Sequence, residues 1–142
     1  MEKIFEVGVR YDQLQQDGRN KRVTELFLMQ AVSFSQAERS MCVEMTNYTK
    51  DDFDIVSIRI TKFCEHILSD NSEDDKFYSI KYNIITLDEK TMKEKKQSFH
   101  VIIQSSSVDK AREKFKEYSK SWISDIQLVS VQETKHVDFI TQ

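Results

Sequence analysis

An internal repeat constrains the fold of this chain more than any other sequence feature. Three segments of the first half recur in the second half at a nearly constant spacing. The matched segments are Val9–Tyr11 with Ile80–Tyr82, Phe34–Met41 with Val108–Phe115, and Val56–Lys62 with Val129–Lys135. We therefore predict a single domain over residues 1–142 that consists of two repeats, 1–69 and 76–142, joined by the acidic segment 70–75.

The first repeat shows the pattern of two strands, a helix and a third strand. Phe5–Tyr11 alternates apolar with polar residues, and Val23–Gln30 is rich in strand-forming residues. Ser33 with Gln36 three residues later predicts a capped helix start, and Phe53–Lys62 predicts the third strand. The apolar residues expected on one side of that third strand are Val56, Ile58 and Ile60.

The second repeat has the same pattern. It predicts strands at Phe77–Leu87, Lys95–Gln104 and Ile126–Val131, and a helix that begins near Ser107. The expected fold class is α+β, with internally duplicated ββαβ units and a mostly antiparallel sheet on which two helices pack on one side.

Composition excludes several classes of protein. The chain has 21 basic and 24 acidic residues, a net charge of −3, so it is not a strongly basic nucleic-acid coat. Its two glycines are too few for a Gly-rich phosphate loop. No apolar run approaches the roughly 20 residues that span a bilayer, and Met1-Glu2-Lys3 does not open a signal peptide. Cys42 and Cys64 form no CxxC pair. We expect a cytoplasmic protein in a reducing compartment, without contact to a membrane.

The sequence offers no clear centre for catalysis or metal binding. His66, His100 and His136 lie on separate segments without ligand spacing, and the acidic segment 70–75 lacks the turn glycine of a calcium loop. We expect that segment to be a solvated linker. Ser105-Ser106-Ser107 precedes a helix, where a serine caps unpaired N–H groups. We therefore expect no enzymatic activity, no cofactor and no metal.

The repeat does single out basic residues next to aromatic ones. At the repeat spacing, Arg10-Tyr11 matches Lys81-Tyr82, and Lys21-Arg22 matches Lys95-Lys96. Arginine and lysine bind phosphate through charge-assisted hydrogen bonds, and tyrosine stacks on bases. The residues in this hypothesis are Arg10, Arg22, Lys81 and Lys96 for phosphate groups, with Tyr11 and Tyr82 for stacking. The competing interpretation is that these cations form cross-strand ion pairs and protect sheet edges from aggregation.

Several ordered motifs resemble a known family over essentially the whole chain. They are Val9-Arg10-Tyr11-Asp12, Val23-Thr24-Glu25, Ala31-x-Ser33-Phe34-x-x-Ala37-Glu38, Asp74-Asp75-x-Phe77 and Ile85-Thr86-Leu87-Asp88-Glu89-Lys90. The family is the domain-of-unknown-function family 4494, which occurs in Bacteroidetes and their phages. The resemblance implies a bacterial host cytoplasm and supplies no catalytic residue, cofactor or partner.

These observations favour a non-enzymatic, phage-type accessory binding protein. The leading hypothesis is an anti-defence protein that sequesters a small phosphorylated nucleotide. The alternatives are a single-stranded nucleic-acid-binding protein of phage replication or transcription, and a protein–protein inhibitor or adaptor. We also expect a homo-oligomer, because apolar residues at the helix margins, such as Tyr48, Trp122 and Ile123, are available to join subunits.

Overall fold

The expected α+β class, with mostly antiparallel strands and two helices, is confirmed in a computed structural model of the chain. The structure describes residues 1–141. The elements are β1 Lys3–Leu14, β2 Asn20–Ala31, α1 Phe34–Glu44 with a short 3-10 turn at Met45–Asn47, β3 Phe53–Ile60, β4 Phe63–Ile67, β5 Lys76–Leu87, β6 Glu94–Ser105, α2 Val108–Ser119, β7 Asp125–Glu133 and β8 His136–Ile140.

The first compact unit comprises Met1–Thr61 together with the chain from Lys135 onwards. Its sheet has the order β3-β1-β2-β8, in which only the β2–β8 pair is parallel. One face of this sheet packs against α1. The core between them contains the buried side chains Phe5, Val7, Val9, Phe27, Met29, Ala37 and Met41.

The second compact unit comprises Lys62–Thr134. Its sheet has the order β4-β6-β5-β7, in which only the β4–β6 pair is parallel. One face packs against α2, and the core between them contains Ile80, Tyr82, Val101, Ile103 and Phe115. Aromatic rings extend this core, because Trp122 contacts both Tyr82 and Phe115.

The two compact units divide the chain differently from the expected repeats. The structure adds β4 and β8, two short strands that the sequence analysis did not predict. Strand β4 follows the first ββαβ segment but pairs with β6, and β8 follows the second but pairs with β2. Each sheet therefore takes its fourth strand from the other half of the sequence.

A threonine marks each point where the chain passes from one unit to the other. The N–H of Thr61 donates to the Ile4 carbonyl oxygen at 2.9 Å, and the N–H of Thr134 donates to the Phe77 carbonyl oxygen at 2.8 Å. Both hydroxyls donate to the same carbonyl oxygens, at 2.8 and 3.1 Å. The threonine of each repeated Thr-Lys pair thus makes the same double hydrogen bond.

Strand register corrects the match assigned to the first strand of each repeat. The β1–β3 ladder has a bulge between Gly8 and Val9, and the β5–β7 ladder has one between Lys81 and Tyr82. Val9 therefore matches Tyr82, and the predicted match of Arg10-Tyr11 with Lys81-Tyr82 is wrong by two positions. Arg10 corresponds to Asn83 instead. The common pairing pattern agrees with a duplication, which itself stays a prediction.

The same bulge changes the third strand of the first repeat. Ile55 and Ile58 pack against the core of the first unit, whereas Val56 and Ile60 are 43% and 44% exposed. The expectation that Val56 shares the side of Ile58 and Ile60 is wrong, because Val56 is the extra residue of the bulge and interrupts the alternation of side chains. Ile58 pairs with Val7 and Ile60 with Phe5, so these two isoleucines do share one side, and Ile60 is the last residue of the strand.

Both expected helix caps are present. The Ser33 hydroxyl accepts from the Gln36 N–H at 3.1 Å, and the Ser107 hydroxyl accepts from the Lys110 N–H at 3.2 Å. The Gln36 side-chain oxygen accepts in return from the Val32 N–H at 2.6 Å. One of the three consecutive serines thus has the capping role expected from the sequence.

The acidic segment is not a fully solvated linker. Asp74 is only 8% exposed, and its carboxylate accepts from the Ser69 hydroxyl at 2.5 Å and from Lys114 Nζ at 2.7 Å. Lys114 also donates to the Gln104 carbonyl oxygen at 2.8 Å. The segment is therefore fastened to α2 and β6 within the second unit.

Candidate anion-binding site

The two tyrosines expected to stack on a base lie in hydrophobic cores. Tyr11 is 3% exposed and Tyr82 is 4% exposed. The Tyr11 hydroxyl donates to Glu25 at 2.6 Å, and the Tyr82 ring stacks on Phe99 with centroids 5.6 Å apart. Burial raises the pKa of both hydroxyls. The stacking prediction is wrong because successive strand residues point to opposite faces, so each ring faces away from the cation before it.

The arginines of the first unit have partners in their own sheet. Arg22 lies 2.8 Å from Asp54 and 3.7 Å from Asp12. The Arg10 Nε donates to the Thr24 hydroxyl at 3.4 Å. For Arg22 this arrangement favours the competing interpretation, in which the cation stabilises neighbouring strands through cross-strand pairs.

Lys81 lies on the face of the second sheet that is opposite α2, because its neighbour Tyr82 packs against α2. Its cross-strand partner on β6 is His100, and the β4 strand places Phe63 beside His100. Lys62 immediately precedes Phe63. We refer to Lys62, Lys81 and His100 as the cation cluster.

Within residues 1–141, the cation cluster has no carboxylate partner, since neither lysine forms an ion pair there. Burial lowers the pKa of His100, and the charges of Lys62 and Lys81 lower it further. Like charges on neighbouring strands repel each other, so an anion at this position would relieve the repulsion.

A row of neutral polar side chains lies beside the cation cluster on the same face. Asn83 pairs with Ser98 on β6 and with Gln127 on β7, one alternation further along the strand than Lys81. The Ser98 hydroxyl donates to Asn83 Oδ1 at 2.7 Å, and Asn83 Nδ2 donates to Gln127 Oε1 at 3.3 Å. We refer to these three residues as the amide row. Ile85 and its cross-strand partner Lys96 come next on this face.

Sequence reasoning identified Lys81 and Lys96 but missed Lys62 and His100. Lys62 comes close to His100 only because β4 pairs with β6, and the sequence analysis did not predict β4. The usable signal was the Thr61-Lys62 pair itself, which recurs at Thr134-Lys135. Sequence alone does not show that the strand after Thr61-Lys62 pairs with β6 and brings the charge of Lys62 near His100.

No group of three or more potential metal-binding side chains is found in the part of the chain that the structure describes. His136 Nε2 lies 2.8 Å from the Glu6 carboxylate, which also accepts two hydrogen bonds from Arg59. Among the described residues, no helix is long and apolar enough to cross a membrane.

These features define an α+β protein of two four-stranded units, the second of which carries the cation cluster. The chain belongs to the family described as Domain of unknown function (DUF4494), whose family model matches residues 3–142. The resemblance inferred from the ordered motifs is thereby confirmed. No curated protein and no solved structure matches the chain.

Proposed function

We propose that this chain is a non-enzymatic binding protein that holds a small phosphorylated ligand at the cation cluster of its second unit. The observation that carries the proposal is that Lys81 lies opposite His100 on the neighbouring strand, that Lys62 directly precedes the residue beside His100, and that neither lysine has a carboxylate partner among the described residues. Phosphate oxygens accept charge-assisted hydrogen bonds from lysine and imidazole N–H groups, so a phosphoryl group satisfies all three side chains at once.

A small ligand suits this surface better than a long polyanion. The whole chain carries a net charge of −3, and a long nucleic acid needs cations over a wide area. The predicted aromatic stacking platform is also lost, since Tyr11 and Tyr82 are buried. Sequestration of a nucleotide signal in a phage or Bacteroidetes setting remains the biological form that we favour, and self-association remains a prediction.

The proposal is tested by isothermal titration of the full chain with inorganic phosphate. We expect saturable binding at one site per chain, and Lys81→Gln to weaken it about tenfold, the equivalent of losing one charge-assisted hydrogen bond. The matched control is Arg10→Gln, a cation on β1 that lies outside the cluster, which we expect to leave phosphate binding unchanged.

Two results would overturn the proposal. One is that phosphate does not bind the wild-type chain, and the other is that Lys81→Gln and Arg10→Gln weaken it equally. Binding of mixed-sequence single strands that falls steeply with salt, and that does not depend on Lys81, would favour the nucleic-acid alternative.

A further inference from the structure

The amide row still offers both hydrogen-bond donors and acceptors. The Ser98 hydroxyl donates to Asn83 Oδ1, and Asn83 Nδ2 donates to Gln127 Oε1. This leaves one N–H of Asn83 and both N–H groups of Gln127 as donors, and the Ser98 oxygen and the second lone pair of each amide oxygen as acceptors. Such a surface complements a neutral group with several hydroxyls, because a hydroxyl both donates and accepts.

Charge separates the amide row from the cation cluster. The row holds two amides and one hydroxyl, whereas the charged neighbours on the same face are Lys81 and His100 on one side and Lys96 and Asp125 on the other. Successive residues on the same face of a strand are two positions apart, a distance of roughly 7 Å. A ligand with its phosphoryl group on the cluster therefore places an uncharged polar part on the row.

The next position on this face is apolar. Ile85 is partly exposed and is not part of the core of the second unit. Its partner Lys96 forms no ion pair with any described residue, and the methylene stem of a lysine covers apolar surface while its amine stays in water. Ile85 therefore offers a partly apolar position next to the amide row, with Lys96 on one side and Asp125 on the other.

We propose that the phosphorylated ligand is a nucleoside monophosphate, with its phosphate on the cation cluster, its ribose on the amide row and its base against Ile85. This proposal rests on the proposed function, because it assigns the remainder of the same ligand. Along β5, the charged Lys81, the neutral polar Asn83 and the apolar Ile85 follow one another in the same order as the phosphate, the sugar and the base of a nucleotide.

Titration calorimetry with two probes, inorganic phosphate and adenosine 5′-monophosphate, tests the assignment. We expect the nucleotide to bind the wild-type chain at least tenfold more tightly than phosphate. Gln127→Ala and Ile85→Ser should each lower nucleotide affinity severalfold more than phosphate affinity, whereas Lys81→Gln should lower both. Circular dichroism and thermal unfolding establish that each variant is folded.

The outcomes separate the two proposals. If phosphate and nucleotide bind with equal affinity and Lys81→Gln weakens both, the nucleoside assignment is overturned and phosphate binding stands. If neither probe binds, both proposals fail. A nucleotide preference that Gln127→Ala and Ile85→Ser leave intact would also overturn the assignment, because the base and sugar would then lie elsewhere.

Discussion

The contact between Asp74 and Lys114 gives the sharpest stability prediction, and the proposed variant is Lys114→Met. The Asp74 side chain is 9% exposed, so removing the ammonium group leaves a nearly buried carboxylate with only the Ser69 hydroxyl as a described side-chain partner. The methionine keeps most of the methylene stem. The variant therefore removes the charge while preserving much of the packing along α2.

The expected loss follows from the exposure of the two partners. Breaking a buried ion pair costs about 3–5 kcal/mol, and losing one hydrogen bond to a charged group costs about 1.5–3 kcal/mol. Because the Lys114 side chain is 32% exposed, water screens the pair and reaches the vacated position. We therefore expect Lys114→Met to lower the free energy of unfolding by about 2 kcal/mol, which corresponds to a fall of roughly 6 °C in Tm for a chain of this size.

Thermal and urea unfolding measure this loss, with Lys116→Met as the matched control. Lys116 is exposed on the same helix and forms no ion pair with the described residues, so its variant should stay within about 0.5 kcal/mol of wild type. The reasoning is refuted if Lys114→Met changes the free energy of unfolding no more than Lys116→Met does.

The pH dependence of the same variant supplies a second check. Lys114 and Ser69 lower the pKa of Asp74 in the folded chain. Stability from this group is therefore fully present above the unfolded pKa of about 3.9 and is lost as pH falls through the lower folded pKa. The stability difference between wild type and Lys114→Met should shrink below about pH 4.

Three further predictions concern the β5–β6 hairpin and the cation cluster. Met92 has a φ of 58°, so Met92→Gly should relieve backbone strain, although the glycine also increases the entropy of the unfolded chain. We expect urea titration to show a net rise of about 0.5 kcal/mol in the free energy of unfolding. Lys81→Gln should raise Tm by about 1–3 °C in low-salt buffer without phosphate, because it removes repulsion within the cluster; an unchanged Tm would argue against that repulsion. Sulfate keeps a constant charge of −2 from about pH 7.5 to 5.5, and it should bind more tightly as pH falls. The reason is that a bound anion favours protonation of His100, whose pKa is lowered in the ligand-free chain. His100→Gln should flatten that profile in calorimetric titrations.

The fold was predictable where side-chain periodicity is strong. In the sequence, the apolar residues of Phe5–Tyr11 alternate with polar residues and a glycine, and the Ser33 and Ser107 caps are local signals that need no tertiary information. Strands β4 and β8 were missed because each is short, includes charged or histidine side chains and pairs with the other half of the sequence. Nothing within so short a segment encodes a distant pairing partner.

The candidate site was predictable only in part, for the same reason. Basic residues on the hairpins were visible, yet their roles depend on what lies opposite them. Arg22 faces Asp12 and Asp54 within its own sheet, whereas Lys81 faces His100 with Lys62 nearby. A bulge shifts the register of a strand and changes these neighbours, and the sequence match of the first strands, made without the bulges, aligned the wrong pairs.

The most direct test of phosphate binding by the second unit is a nuclear magnetic resonance titration of the full, isotope-labelled chain with inorganic phosphate. We predict saturable shifts of the backbone amide signals of Lys62, Lys81 and His100, and their loss in Lys81→Gln. Saturable shifts confined to Arg10 and Arg22 on the other hairpin, or no shifts at all, would contradict the account.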